Sequence, residues 1–279
     1  MIIERGLIVD KPFNVAADIA VLPTHFPIPE MGLLPVNAFI IKAREPVLVD
    51  TGLTIESEDF MKALESVIDP SDLRWIWLTH DDADHTGSVE AVMKAAPKAR
   101  LATHPLMAIR LTTVWPVPMD RVYFLNPGDS IDVGDRRLNA VRPPVLDNPG
   151  SLGIYDDRTG AFFSVDCFGA IVPSPVRDAA DHSEAELTQG MTVWATADSV
   201  WLHLVDENKF GQALDSVRKM APKMILSAHL APARGKTEQL LKALAAAPAA
   251  PPFVGPSQAD LERLLGQMKA GNLPGAAGP

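Results

Sequence analysis

Short apolar runs alternate, along the first half of the chain, with stretches in which apolar side chains recur every three or four residues. AFII (38–41) and PVLVD (46–50) read as adjacent strands, the second closing in the turn Thr51-Gly52. Phe60, Met61, Leu64, Val67 and Ile68 recur at helical spacing and predict a helix over 55–67. WIWL (75–78) is apolar throughout, which fits a strand covered on both faces. Residues 87–95 read as a helix with Val89, Val92 and Met93 on one side, and RLAT (100–103) as the next strand. The rhythm then changes. PGD (127–129), VGD (133–135) and PGS (149–151) are turn signals separating short strands at 131–133, 137–141, 152–155 and 161–165. Helical spacing returns at 209–220, MILSAH (224–229) is a strand ending in a histidine, and 237–246 is a helix. Two halves that each mix strands and helices predict two sheets packed face to face, with helices outside.

The pattern also divides the chain. Residues 1–245 read as one domain. Residues 246–279 begin with AAPAAPPFVGPS, a Pro/Ala linker with little to bury. A short helix at 258–268 follows, and GNLPGAAGP reads as a frayed end. No internal repeat is visible.

Composition narrows the function. Apolar residues make up 47% of the 279 positions and charged residues 22%, so a packed core is expected. The net charge of −10 argues against a nucleic-acid or anionic-membrane partner. The one cysteine, Cys167, excludes an internal disulfide, a Cys-x-x-Cys pair and a thiolate-only metal cage. It reads as a small buried side chain. MIIERGLIVDKPF carries charges where a signal peptide needs an apolar run, and no run approaches the ~20 apolar residues of a membrane span. The expected location is the cytoplasm.

The chemistry concentrates in THDDADHTG (79–87). His80, Asp82, Asp84 and His85 are four potential ligands within six residues, directly after the apolar strand 75–78. A tight loop leaving a buried strand can turn close-spaced side chains onto one point, and carboxylates with imidazoles suit iron, manganese and zinc. Three later positions resemble these four. Asp166 follows the strand AFFSV, His229 ends the strand MILSA, and Asp147 lies between strands in LDNPGS. Each alone reads as a loop cap; the recurrence of acid or imidazole at successive strand ends points to a shared metal site. For Asp147 the alternative is a turn residue.

THDDADHTG, with VLVDTG (47–52) upstream, resembles the metallo-β-lactamase superfamily, and within it the oxygen-binding diiron domain of the flavodiiron proteins. That branch replaces the second histidine of its motif with a carboxylate, usually Glu. FFSVDCFGA (162–170), NPGDSIDVGDRRL (126–138) and SAHLAPARG (227–235) are also similar to it, and the likeness covers roughly residues 17–240. It implies an α/β fold of the αβ/βα sandwich type and a binuclear site. One metal would take His80, Asp82 and Asp147, the other Asp84, His85 and His229, and Asp166 would bridge them. Asp82 is one methylene shorter than the usual Glu, and at Asp147 the branch places a histidine. This carboxylate-rich set favours two iron ions, with manganese and zinc as alternatives.

Lesser candidates surround this set. Asp50 either hydrogen-bonds a ligand histidine or closes an Asx turn. His25, in the turn-like THFPIPE, reads as a plain loop histidine, while the resemblance implies a residue over the open metal face. His104 begins a helix. His182 reads as part of a solvated face. His203 reads as a satisfied core histidine, with Trp194 and Trp201 beside it in the core.

Three functions are compatible with these residues: a diiron protein that binds or reduces O₂ or NO, a binuclear hydrolase of a lactone, thioester or phosphoester, and a metal-poor relative without activity. The first takes a small diatomic ligand; sustained reduction needs an external electron donor, because no flavin site is apparent and rubredoxin-type iron needs more cysteines than one, and without a donor the protein is an O₂ sensor. A homodimer stays open as an assembly.

Overall fold

The structure, a computed structural model, describes residues 6–269; the expected frayed end at 271–279 lies outside them. It contains two sheets. The first is built from β1 (Ile8–Val9), β2 (Phe13–Ala16), β3 (Ile19–Ile28), β4 (Gly32–Ile41), β5 (Val47–Val49), β6 (Trp75–Trp77), β7 (Arg100–Thr103) and β8 (Val122–Phe124). Its order is β1-β3-β4-β5-β6-β7-β8, with β2 also on β3; β5 to β8 run parallel. The second holds β9 (Ser130–Asp132), β10 (Arg137–Val141), β11 (Gly153–Asp156), β12 (Ala161–Phe163), β13 (Met224–Leu226) and β14 (Ala233–Arg234), in the order β14-β13-β12-β11-β10-β9. Within it, β12 and β13 are the parallel pair.

The alternation of each strand assigns its side chains to a layer. Val47, Val49, Trp75 and Trp77 point inward, where they meet Leu138, Ile154, Phe163, Met224 and Leu226 of the facing sheet. Their neighbours Leu48 and Ile76 point outward onto Phe60 and Leu64 of α1 (Ser57–Glu65), Val92 and Met93 of α3 (Val89–Ala95), and Leu111 of α4 (Pro105–Leu111). On the other side, Phe162 and Ile225 point outward onto α5 (Glu184–Asp198), α6 (Glu207–Met220) and α7 (Thr237–Ala246), through Leu187, Leu214 and Leu240 among others. Three apolar layers between four layers of elements make an αβ/βα sandwich. This explains why WIWL shows no polar alternation: both of its faces are covered.

The long hairpin β3–β4 exceeds the 38–41 strand expected there. Pro23, Pro27 and Pro35 break the sequence pattern, yet all three take paired positions in the hairpin register. No helix among the described residues is long and apolar enough to cross a membrane. The short α2 (Ala83–Thr86) belongs to the site. The last helix, α8 (Gln258–Lys269), is tethered by Arg263, whose Nη2 lies 2.9 Å from Glu30 Oε2 at the hairpin turn. Both partners are exposed, so this pair contributes little.

Candidate metal centre

Both sheets send their parallel strands to one edge, and the loops leaving those strands meet there. Phe163 of β12 and Leu226 of β13 are register partners, and Asp166 and His229 each follow three residues later. The sequence predicts strands over 161–165 and 224–229, but β12 ends at Phe163 and β13 at Leu226. The chain beyond β12 turns sharply, with Val165 at φ 59° and Phe168 at φ 66° flanking Asp166. A β-branched residue in the left-handed region is strained, and such strain persists where the surroundings fix it, commonly at functional sites.

From the first sheet, the loop after β6 carries His80 and Asp82, and α2 carries Asp84 and His85. This loop is zipped to the one after β5. Thr51 N–H donates to the His85 carbonyl at 2.7 Å, Gly87 N–H to the Gly52 carbonyl at 2.8 Å, and Ser88 N–H to the Thr51 carbonyl at 3.1 Å. The approach is close enough that a Cβ on Gly87 would lie 2.1 Å from Thr54 N, which explains the glycine that ends the motif. Asn37 on β4 donates to the carbonyls of Ser227 and Leu230, at 3.1 and 2.9 Å, and so ties the first sheet to the loop bearing His229.

The convergence is tight. His80 Nε2 lies 3.3 Å from Asp166 Oδ2 and 3.7 Å from Asp82 Oδ2. His85 Nε2 and His229 Nε2 each lie 3.0 Å from Asp166 Oδ1 and 3.5 Å from Asp84 Oδ2. Asp166 thus turns one oxygen to the His80 side and the other to the His85–His229 side. Asp147, in the β10–β11 loop, brings an oxygen within 4.8 Å of ligand atoms of His80 and Asp82. The seven sequence candidates therefore fall into two sets, His80–Asp82–Asp147 and Asp84–His85–His229, with Asp166 between them.

The outer nitrogen of each ring is already held. His229 Nδ1 lies 2.7 Å from the Pro35 carbonyl, which can only accept. His85 Nδ1 lies 2.9 Å from Asp50 Oδ2. Thr79 Oγ1 donates to Asp50 Oδ2 at 2.8 Å and is left to accept from His80 Nδ1 at 3.2 Å. Each neutral ring therefore carries its proton on Nδ1 and presents a bare Nε2 to the carboxylates. Of the two readings of Asp50, the hydrogen bond to His85 is the contact made. Asp50 also sits at φ 60° at the turn, where Asp is tolerated.

Lone pairs facing carboxylates repel unless a proton or cation sits between them. His80 Nε2, His85 Nε2 and Asp166 Oδ1 are buried and have no hydrogen-bond partner, despite the short approaches. Burial opposes charge on His85, but Asp84, Asp166 and Asp50 override it and hold the ring well above its ordinary pKa. For His80, burial and the neighbouring His85 dominate and hold it low. Burial, then the carboxylates of Asp166, Asp198 and Asp82, push Asp147 up to about 8. Two like charges ~4 Å apart repel by about 4 kcal/mol at an effective dielectric of about 20. Among the described residues no Lys or Arg pairs with Asp82, Asp84, Asp147 or Asp166; Arg110 is spent on Asp81, 2.8 Å away. The donor set fits metal cations, and candidate metal-binding residues are present in four overlapping groups.

A family model described as "ODP family beta lactamase" matches residues 34–229. The chain belongs to the ODP family. Its solved neighbours include rubredoxin oxygen:oxidoreductase from Desulfovibrio gigas, with TM-score 0.75 and 18% identity over 86% of this chain and 61% of that one. A putative diflavin flavoprotein A 1 from Thermosynechococcus vestitus is 30% identical over 135 residues, 48% of this chain and 24% of that protein. An anaerobic nitric oxide reductase flavorubredoxin from Salmonella typhi is 28% identical over 134 residues, 48% of this chain and 28% of that protein. The aligned stretch is thus a small part of either relative's length. The flavodiiron-type metallo-β-lactamase fold expected from the motifs is the fold this ODP chain has.

Other candidates fall differently. His25 is buried on strand β3 rather than in a turn, with Nδ1 3.6 Å from Asp10, and belongs to neither set. His104 caps α4 as expected, its Nδ1 accepting from Leu106 N–H. Cys167 is buried. His182, expected on a solvated face, is 6% exposed, and His203, expected in the core, is exposed. The sequence pattern does not predict α5, which begins at the Ser183 cap beside His182 and carries Trp194, expected in the core, to the wall of the site. Trp194 Nε1 donates to the Asp166 carbonyl at 3.2 Å, and its ring centre is 4.6 Å from that of His229. One helical turn on, Asp198 brings an oxygen within 4.8 Å of oxygens of Asp147 and Asp166. Asn148 was also missed; its Nδ2 donates to Asp81 at 2.8 Å and Asp82 at 3.1 Å. The legible signal was Ser183-x-x-Glu186, a capping box that starts α5.

Proposed function

We propose that this chain is a binuclear metalloprotein, holding two iron ions, that binds or reduces O₂ or NO. The observation that carries this reading is Asp166, whose two oxygens face separate histidine–aspartate sets. His80, Asp82 and Asp147 would hold one ion, Asp84, His85 and His229 the other, and Asp166 would bridge. Bound iron supplies one-electron chemistry and open coordination positions for a diatomic ligand. The chain's own residues orient the donors: Asp50, Thr79 and the Pro35 carbonyl fix the three rings, and Trp194 walls the site beside His229.

The names of relatives, an oxygen oxidoreductase and a nitric oxide reductase, support a diatomic ligand. Electrons would come from a donor outside the sandwich described here. We place the protein in the cytoplasm, with no nucleic-acid or membrane partner. A homodimer is compatible with this reading.

The test is metal analysis of protein purified without added metal, with absorption spectra in air, after anaerobic reduction and after addition of O₂ or NO. Iron near two per chain and a spectrum that responds to reduction and to the gas are expected. Iron-loaded protein silent to both gases, beside a zinc form that hydrolyses a lactone or thioester, would replace this reading with the hydrolase.

A further inference from the structure

We propose that Asp198 is a further metal ligand, a carboxylate arm that joins Asp147 and Asp166 on the His80 side of the centre. This rests on the binuclear reading above. The two sets are unequal: the Asp84 side has two imidazoles, the His80 side one. Asp198 lies where it can make up the difference, since one oxygen each of Asp147, Asp166 and Asp198 fall within 4.8 Å of one another.

An acidic cluster alone would not establish a ligand. Here the cluster is continuous with His80 through Asp147. His80 is 0% exposed, and its Nε2, 3.3 Å from Asp166 Oδ2 and in one group with Asp147, has no hydrogen-bond partner.

The placement of Asp198 is also unfavourable without a cation. It is the last residue of α5, and that last turn holds no basic residue. The C-terminal end of a helix carries roughly half a negative charge, which disfavours a carboxylate there. The hydrogen bond given to Asp198 comes from Ser199 Oγ at 3.3 Å, a long contact from an uncharged donor. Trp194, four residues earlier on the same helix face, anchors α5 to the Asp166 carbonyl and so fixes where Asp198 points. Gly190 permits the close packing, because a Cβ there would lie 2.2 Å from the Ile171 carbonyl oxygen. A carboxylate held rigidly against two others, at a helix end of the same sign, is the arrangement a divalent cation resolves.

The test uses the full chain, stripped of metal and titrated with Mn²⁺, for the wild type and Asp198→Asn. Binding is read by calorimetry and by the rise in melting temperature. Two ions per wild-type chain are expected. In the variant, one should keep its affinity and the other weaken about tenfold or more. A variant that binds two ions within twofold of wild-type affinity overturns the role of Asp198 and leaves the binuclear reading intact. A wild-type chain that binds no metal overturns both. The wild type alone supplies an independent readout by anomalous diffraction from Mn²⁺-soaked crystals. An Asp198 oxygen within about 2.5 Å of a metal peak supports ligation, the usual reach of oxygen donors. A separation beyond about 4 Å from every metal peak overturns it.

Discussion

Asp50 Oδ2 lies 2.9 Å from His85 Nδ1, and this contact decides which nitrogen His85 offers to the centre. The carboxylate accepts the Nδ1 proton and leaves Nε2 bare. It also accepts from Thr79 N–H and Thr79 Oγ1, both at 2.8 Å, so one side chain orients His85 directly and His80 through Thr79. Asp50→Asn keeps the volume and tolerates the left-handed turn, but its amide no longer supplies a charged acceptor. Loss of such an outer partner typically costs about 10–100-fold in metal affinity. Competition against a chelating dye should show that loss with the fold retained by circular dichroism. Unchanged affinity would remove Asp50 from the site.

Asp166 and Asp147 should respond differently to truncation. Asp166 faces both sets and Asp147 one. Asp166→Ala should therefore abolish uptake of both ions, whereas Asp147→Ala should leave one per chain. The check is metal per chain by mass spectrometry after dialysis. Two ions retained by Asp166→Ala would refute the bridge.

The metal-free protein should lose stability as pH rises, and metal should reverse this. Burial, followed by neighbouring carboxylates, raises Asp147 from an ordinary 3.8 to about 8 and Asp198 to about 7. His85 and His229 are also raised, burial notwithstanding, by Asp84 and Asp166. A raised folded-state pKa means the folded chain binds the proton more tightly than the unfolded one, so stability falls with pH between the two values. For the two aspartates that window runs from about 4 up to about 8 and about 7 respectively. His80 is lowered and opposes the trend below its ordinary 6.5. Melting temperature of metal-free protein should thus be lower at pH 8 than at pH 5.5. Metal ions take the place of these protons, so affinity should rise with pH over the same range. A metal-free melting temperature that climbs with pH would contradict the assignment of the raised groups.

The sandwich was legible because β5, β6, β12 and β13 each announce themselves as compact apolar runs. Six of the seven candidate donors were legible because they follow β6, β12 or β13 closely in sequence, whereas Asp147 stands between strands in LDNPGS. What sequence could not supply was the partner across the fold. Asp198 follows no strand, and its helix is weakly amphipathic, with Thr188, Thr192 and Thr196 diluting the apolar spacing. Pro35 reads as a strand breaker, yet its carbonyl fixes His229 from 194 residues away. The three prolines of the β3–β4 hairpin hid a ten-residue strand pair for the same reason: local propensity lost to register in the sheet.

The donor set itself should decide the metal. The His80 side combines one imidazole with Asp82, Asp147 and the facing oxygen of Asp166. Carboxylate oxygen suits manganese and ferric or ferrous iron, whereas added imidazole shifts a site towards zinc. Asp82 is half-exposed at 42%, and Asn148 holds its Oδ1 at 3.1 Å, so a larger ring there has room towards solvent. Asp82→His should therefore keep two ions per chain but change their identity. In protein loaded from equal iron and zinc under anaerobic conditions, the wild type should favour iron relative to the variant. The zinc-to-iron ratio in Asp82→His should rise about tenfold, the equivalent of about 1.4 kcal/mol. The measurement is the metal ratio by mass spectrometry, with absorption after exposure to air as the second readout. A ratio unmoved by the substitution would mean that Asp82 does not ligate, and that metal choice lies with His80, Asp147 and Asp166.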